Sequence, residues 1–232
     1  MHQTESTQSK NNNGELNMND KILLRGTVAS ELRECPGRFK EDYLQVELKC
    51  SRRGGNSKDV NCQGPFDVLK IYFQRDMSGL HLLTNDVKIQ LIGEICTYSY
   101  FNKNSGKEHT NTFVMCRSFK VCNSQEENER DVDEVDLIGT LCKKHDLRIT
   151  AAGKALTSTI MKVMGEGHTS FIPCIFWQRH AEQVDELPEG ITFNLSGRLQ
   201  SRDYTKKTGD KEVVRTTYEV VVHKINNIVW ND

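Results

Sequence analysis

The chain has 232 residues, enough for one large domain or for two domains of about 100 residues each. Its hydrophobic fraction is 36%, and no run of about 18 apolar residues occurs, which excludes a membrane-spanning helix. The net charge of −1 is unevenly distributed. Lys and Arg outnumber Asp and Glu by 16 to 12 over residues 19–122 and by 13 to 12 over 135–232, whereas residues 123–134 hold six acids and one Arg. The negative charge therefore lies mainly outside the segments that we expect to fold.

The first 18 residues are polar, with an Asn-Asn-Asn run, and lack the basic start and apolar core of a secretory signal. We expect a disordered tail here and a cytoplasmic protein. The eight cysteines are scattered, and no two have the short spacing of a zinc knuckle. Several lie in apolar runs, as Cys174 does between Pro173 and Ile175, so we expect reduced core cysteines, no metal site and no cofactor.

An internal repeat runs through the rest of the chain. The aligned segments are 24–28 with 137–141, 67–73 with 171–177, and 87–95 with 191–199. The offset is 113 for the first pair and 104 for the other two, and a longer loop in the first copy explains the difference.

Within each copy, apolar residues recur at every second position, which is the pattern of half-buried strands. The one helical candidate is short and lies at 180–184, while turn-forming residues separate strands at 104–107, 152–154 and 206–210. Five or so strands in about 100 residues, with a short helix after the third, predict a Greek-key barrel of the oligonucleotide-binding (OB) type. The sequence therefore predicts an all-β protein with two five-stranded OB barrels in tandem.

The repeat and the charge pattern together give the domain boundaries. We expect a disordered tail at 1–18, a divergent first OB domain at 19–122, an acidic linker at 123–134 and a second OB domain at 135–232.

Strand alternation places rings and cations of the second copy on shared faces. Phe171 and Trp177 point to one side of their strand, and apolar odd positions in 191–199 turn Tyr204 and two arginines away from the core. Rings can stack on any base and cations neutralise phosphates, so these faces are typical of a surface that binds unpaired strands. The candidate DNA-binding residues of this copy are Phe171, Trp177, Tyr204, Arg198, Arg202, Lys206 and Lys207.

The second copy also carries several short motifs over nearly all of residues 135–228. They are residues 136–141, 153–155, 171–177, 181–182, 197–207 and 216–222. With these motifs the copy resembles the bacterial single-stranded-DNA-binding protein family. The resemblance implies an OB barrel that wraps single-stranded DNA in replication, repair and recombination, with stacking rings at Phe171, Trp177 and Tyr204.

The first copy departs from this pattern. Asp67 aligns with Phe171 and Glu94 with Arg198, so that carboxylates stand where the second copy has a ring and a cation. Rings remain at other aligned positions, and basic residues such as Arg52 still supply charge. We therefore expect this copy to bind DNA more weakly or to serve partly in assembly. Its candidate DNA-binding residues are Phe73, Tyr98, Tyr100 and Lys103.

The resemblance carries expectations about assembly as well. Assemblies of that family usually present four barrels, which implies a homodimer of this two-barrel chain, associated with the nucleoid. Family members commonly end in an acidic tail with a hydrophobic tip that recruits replication enzymes. This sequence stops at residues 228–232, directly after the last predicted strand, so we do not expect recruitment by that route.

Two other functional classes remain open at this point. The sequence has no P-loop, H-E-x-x-H or nucleophile-elbow pattern, so we expect no enzymatic activity. The main alternative is an OB-fold scaffold that contacts protein in a primosome or recombination complex. A preference for RNA is the third possibility.

Overall fold

The computed structural model describes residues 19–52, 66–102, 106–126, 129–165, 167–208 and 211–229, and the predicted tail lies outside them. The described residues form twelve strands, one α-helix and two 3₁₀ turns. The strands are β1 (Asp20–Val28), β2 (Arg33–Glu34), β3 (Tyr43–Ser51), β4 (Phe66–Gln74), β5 (Lys88–Asn102), β6 (Lys107–Val121), β7 (Val132–Lys144), β8 (Arg148–Ile149), β9 (Ala155–Met164), β10 (Thr169–Trp177), β11 (Thr192–Thr208) and β12 (Lys211–Val229). The helix α1 is Arg179–Asp185, and the 3₁₀ turns are Gly37–Phe39 and Leu80–Leu82.

The long strands close into two barrels of the same topology. Strands β1, β3, β4, β6 and β5 form the first barrel, which the pairing of β1 with both β3 and β5 closes. Strands β7, β9, β10, β12 and β11 form the second barrel, and β7 pairs with both β9 and β11. Helix α1 follows β10, where the sequence predicted a short helix. The prediction of two tandem five-stranded OB barrels is confirmed.

Alternating burial explains why these segments are strands. In β11, Phe193, Leu195 and Leu199 are almost fully buried, while the residues between them reach the surface. Burying one such side chain contributes about 1.5–3 kcal/mol to folding. Helix α1 spans seven residues, and no helix in the described part of the chain has the length and apolar character needed to cross a membrane.

An antiparallel pairing of β1 with β7 joins the two barrels into one continuous sheet. Ile22 pairs with Val135, its own counterpart in the repeat, so the junction has approximate two-fold symmetry. Side-chain contacts follow the same symmetry. Thr97 Oγ1 accepts a hydrogen bond from the Phe171 amide at 2.7 Å, and Ser201 Oγ accepts one from the Val68 amide at 3.0 Å.

Strand pairing shows that the predicted alignment of β4 with β10 is wrong by one residue. Ile71 of β4 pairs with Val114 of β6, and Cys174 of β10 pairs with Val220 of β12. Val114 and Val220 face equivalent positions of β5 and β11, for which the predicted offset of 104 is correct. Ile71 is therefore the counterpart of Cys174, and the offset between β4 and β10 is 103.

A slip of one residue moves every side chain of a strand to the opposite face. Phe73, which the sequence aligned with Trp177, is the counterpart of Phe176, and both rings are 0% exposed. The Phe73 ring packs edge-to-face on Phe119, with ring centroids 5.3 Å apart. A ring buried in this way cannot stack on a base, so the structure corrects the expectation for Phe73. The exposed Gln74 occupies the position of Trp177.

One glycine position, which occurs in both copies as Gly93 and Gly197, brings paired strands into close contact. A Cβ atom on Gly93 would lie 2.4 Å from the carbonyl oxygen of Met115, and one on Gly197 would lie 2.6 Å from that of Val221. A backbone oxygen cannot move aside cheaply, so only glycine fits at these two positions. The glycines coincide with register shifts between paired strands in both barrels.

Replacing Gly197 with Ala is expected to lower the free energy of unfolding by about 1–3 kcal/mol, because the new methyl group must push β11 and β12 apart. Chemical denaturation measures this loss. Gly153→Asn is the matched control, since Gly153 has φ of 72° with nothing within 4 Å of a Cβ atom, and Asn tolerates this conformation. Equal losses in the two variants would contradict the steric explanation.

The acidic segment, predicted as a linker at 123–134, packs onto the first barrel where the structure describes it. Lys88 Nζ lies 3.0 Å from Asp131 Oδ1, and Arg25 forms an ion pair with Glu129. The last residues of this segment, 132–134, belong to β7. The segment thus neutralises part of the positive charge of the first copy. The domain boundaries at 122 and 135 stay predictions.

Asp133 on β7 gives the junction a dependence on pH. Its Oδ1 accepts a hydrogen bond from the Leu199 amide at 2.9 Å. Burial raises the pKa of Asp133 to about 7, outweighing the lowering effects of that hydrogen bond and of the nearby Arg198 charge. The folded state therefore binds the proton more tightly than the unfolded state, and the free energy of unfolding falls as pH rises from about 4 to about 7.

We expect Asp133→Asn to remove this penalty while keeping an oxygen that can accept from Leu199. A pKa change of one corresponds to about 1.4 kcal/mol. After a reduction for the partial exposure of the side chain, the free energy of unfolding of the variant should exceed that of the wild type by about 2 kcal/mol at pH 8. At pH 4, near the usual pKa of an aspartate, the two proteins should have similar stability. Denaturant titrations at both pH values test this, and a difference that does not change with pH would contradict it.

Candidate nucleic-acid interface

The outward-facing side chains of β9 and β10 form an open surface on the second barrel, which we call the outer face. Phe171 and Trp177 on β10 are 48% and 36% exposed, and Ile175 lies between them. On β9, the exposed Lys162 pairs across from Phe171, and Met164 lies two residues further along. The outer face therefore combines two aromatic rings, the apolar side chains of Ile175 and Met164, and the cation of Lys162.

Strand alternation in β10 creates this arrangement. Ile172, Cys174 and Phe176 point into the barrel and are at most 1% exposed, so Phe171 and Trp177 must point outward. The predicted orientation of the β10 side chains is confirmed.

The long hairpin of β11 and β12 extends the surface. Tyr204 is 42% exposed, and Arg202 is partly exposed with its Nε 3.6 Å from Glu219 Oε1. Burial raises the pKa of Glu219, although the positive charges of Arg202 and Arg198 oppose this effect. Lys206 and Lys207 belong to β11, but the structure describes only their backbone and not their side chains.

Arg198 projects from the predicted face of β11, but its guanidinium group forms an ion pair with the first barrel. Its Nη1 lies 2.9 Å from Asp67 Oδ2, and Arg52 Nη2 lies 2.7 Å from Asp67 Oδ1. Asp67 is buried, and the corrected register makes it the counterpart of Ser170 rather than Phe171. Asp67 therefore does not stand where the second copy has the Phe171 ring, and Arg52 directs its charge to Asp67 in a buried ion pair.

The equivalent face of the first barrel is covered. Phe39, from the 3₁₀ turn before β3, packs against four rings, with centroid distances of 5.1–5.8 Å. We call this cluster the aromatic plug; its members are Phe39, Tyr43, Tyr72, Tyr98 and Phe113. Tyr72 on β4 is the counterpart of Ile175 and is fully buried within the plug. The pairing of β3 and β9 aligns Phe39 with Ala152, which is too small to cover the second barrel in the same way.

The remaining first-copy candidates have mixed environments. Tyr98 is half-buried in the plug, with Arg38 placed 4.3 Å from the centre of its ring. Tyr100 is 44% exposed and stacks between Tyr98 and His109, at centroid distances of 6.2 and 5.9 Å. Lys103 lies outside the described residues. Among the first-copy candidates that the structure describes, Tyr100 is the ring most open to a ligand.

Sequence reasoning missed two features of the interface. Lys162 and Met164 could have been found, because residues 156–164 alternate as β10 does. The plug could not, because Phe39 contacts strands distant in sequence.

Comparison with known proteins bears on the second barrel most directly. A sequence profile described as "SSB: Single-strand binding protein family" matches residues 132–228. Single-stranded DNA-binding protein 2 of Listeria monocytogenes is 33% identical over 109 residues, covering 42% of this chain and 68% of that protein. The chain belongs to the single-strand binding protein family. A second member, the single-stranded DNA-binding protein of Clostridium tetani, is 30% identical over 109 residues, covering 44% of this chain and 73% of that protein.

The likeness to a solved structure of the family extends over both barrels. The wild-type single-stranded DNA binding protein from Thermus aquaticus superposes with a TM-score of 0.69, covering 92% of this chain and 94% of that one, at 16% sequence identity. This likeness supports the two-barrel fold. The family profile, in contrast, matches residues 132–228, which form the second barrel from the start of β7 and carry the outer face.

Proposed function

We propose that this protein binds single-stranded DNA without sequence preference, chiefly on the outer face and the adjoining β11–β12 hairpin. The observation that carries the proposal is the exposure of Phe171 and Trp177 on one face of β10, beside an exposed Lys162. Membership of the single-strand binding protein family supports the same function.

Stacking explains why binding would not depend on sequence. Every base has a flat π-face, and a base stacked on an aromatic side chain contributes about 1–3 kcal/mol. Bases in a duplex are already paired and stacked on each other, so exposed rings favour unpaired strands. Arg202, Lys206 and Lys207 are proposed to follow the phosphates, with Lys162 as an additional cation. Arg198 has a smaller share in this proposal, because Asp67 already holds its guanidinium group.

Fluorescence of Trp177 tests the proposal directly. The chain has two tryptophans, so a Trp230→Phe variant leaves Trp177 as the only reporter. We expect saturable quenching by oligo(dT), with an affinity that falls with salt at a logarithmic slope of about −0.7 per phosphate contact. Duplex DNA of equal length should quench little. Equal quenching by duplex, or no saturable quenching by oligo(dT), would overturn the proposal.

Two alternatives give different results in the same titration. A protein-interaction scaffold would leave Trp177 fluorescence unchanged when oligo(dT) is added. A preference for RNA would appear as stronger competition by oligo(U) than by oligo(dU), which differ in sugar but share the base. We assign no catalytic step to the protein. Cleavage of DNA in the presence of a divalent metal ion would contradict that assignment.

The remaining parts of the proposal concern the barrels and their assembly. The plug covers the first barrel, so we propose that this barrel contributes to DNA binding mainly through Tyr100, and that its larger role is structural. We also propose a homodimer with four barrels, associated with single strands at the nucleoid. Light scattering should give twice the chain mass, and a strict monomer with full DNA affinity would exclude the dimer.

A further inference from the structure

Three side chains of types that bind metal ions converge at the junction between the barrels. Cys96 Sγ lies 3.4 Å from His168 Nε2, which lies 4.0 Å from Glu94 Oε2. The three ligand atoms all lie within 4.8 Å of one another. Glu94 and Cys96 are buried and His168 is half-buried, so this is an enclosed cluster rather than a set of surface charges.

The fold holds each of the three side chains in place. Glu94 and Cys96 are two residues apart on β5, so they project from the same face. His168 lies in the turn between β9 and β10, and its ring packs on Gly165. A Cβ atom on Gly165 would lie 2.4 Å from the imidazole, so a larger residue there would displace the ring. The first copy thus supplies two of the side chains and the second copy supplies the third.

Another buried carboxylate, that of Asp20 at the start of β1, is hydrogen-bonded to the strand that carries Glu94 and Cys96. Asp20 is 3% exposed, and its Oδ2 accepts a hydrogen bond from the Ile95 amide at 2.8 Å. Its Oδ1 is buried and has no hydrogen-bond partner among the described residues. A bound cation would offset the negative charge of the buried Asp20 and Glu94 carboxylates.

We propose that Glu94, Cys96 and His168 form a zinc-binding site that links the two barrels. Thiolate, imidazole and carboxylate are the ligands that Zn²⁺ takes in proteins, at about 2.0–2.3 Å from the ion. A tetrahedral ion with such bonds separates its ligands by roughly 3.3–3.7 Å. The Cys96–His168 distance already fits, whereas Glu94 Oε2 must approach His168 Nε2 by about 0.3–0.7 Å when the ion binds.

The charges also balance when the ion is bound. Arg117 forms an ion pair with Glu94 Oε1, which leaves Oε2 directed toward His168. On binding, the Cys96 thiol loses its proton to solvent and the thiolate forms the bond to zinc. The thiolate and the carboxylates of Glu94 and Asp20 then offset the two charges of the ion and the one of Arg117. Water completes the tetrahedral coordination of the ion in this proposal.

Cobalt(II) serves as a spectroscopic substitute for zinc in the test. The full chain, freed of metal with a chelator, is titrated with Co²⁺ at neutral pH. We expect saturation at one ion per chain, with a thiolate-to-cobalt absorption band that added Zn²⁺ abolishes. Zn²⁺ should also raise the midpoint of thermal unfolding, because it binds the folded junction.

Variants separate this site from adventitious binding. Cys96→Ser should lose the thiolate band, and His168→Gln should weaken Co²⁺ binding at least tenfold. Cys142→Ser removes an exposed thiol outside the site and should retain both properties. Absence of a saturable thiolate band in the wild type would overturn the proposal. This result does not depend on whether the variants fold. A band that persists in Cys96→Ser, or that disappears in Cys142→Ser, would overturn it as well.

Discussion

Replacing both Phe171 and Trp177 with Ala is expected to weaken binding of oligo(dT) at least about 30-fold, because each ring contributes about 1–3 kcal/mol of stacking. Both rings are exposed, so the free energy of unfolding should change little. Fluorescence anisotropy of a labelled oligonucleotide measures the affinity, since the variant lacks Trp177 as a reporter.

Two further variants control this experiment. Trp177→Phe keeps a flat ring at the same position and should retain most of the affinity. Phe101→Ala removes a ring that is 64% exposed but belongs to β5 of the first barrel rather than to β9 or β10, and should bind nearly as well as the wild type. An affinity of the double variant within about twofold of the wild type would mean that the outer face does not stack on bases.

Replacing Phe73 with Ala is expected to lower the free energy of unfolding by about 3–5 kcal/mol, because the change leaves a cavity in the core of the first barrel. The ring is fully buried against Phe119, so it has no surface to offer a base. Urea denaturation measures the loss. Any weakening of DNA binding should disappear when affinity is measured at a temperature where the variant is fully folded.

Gln74→Ala is the matched comparison on the same strand. Gln74 is exposed and occupies the position that Trp177 holds in the second barrel, so its replacement should change stability by about 0.5 kcal/mol or less. A stable Phe73→Ala protein that binds DNA much more weakly would contradict the register that the strand pairing gives.

Sequence patterns predicted which way the side chains of a strand point, but they did not predict the alignment of β4 with β10 that places Phe73. Alternation fixed the orientation of Phe171, Trp177 and Arg198 correctly, because each strand buries one face in a barrel and exposes the other. Alignment of the copies is less constrained. Residues 66–73 contain apolar residues on both faces, since Tyr72 is buried within the plug, so alternation could not detect a shift of one residue.

Features that arise where distant segments meet were not predictable. The Phe39 plug, the Arg198–Asp67 ion pair and the cluster of Glu94, Cys96 and His168 each join residues 33 or more positions apart. No sequence spacing marks where the distant segments of each feature meet. The acidic composition of residues 123–134 and their place between the two copies predict a linker, but they do not predict the ion pairs that Glu129 and Asp131 form with cations of the first barrel.

Ultraviolet crosslinking of the full chain to oligo(dT), followed by mass spectrometry of the peptides, tests most directly where unpaired DNA lies. We expect crosslinks at Phe171, Trp177 and Tyr204, and fewer at Tyr100. Crosslinks confined to residues 19–122, with none on β10 or β11, would contradict the assignment of DNA binding to the outer face.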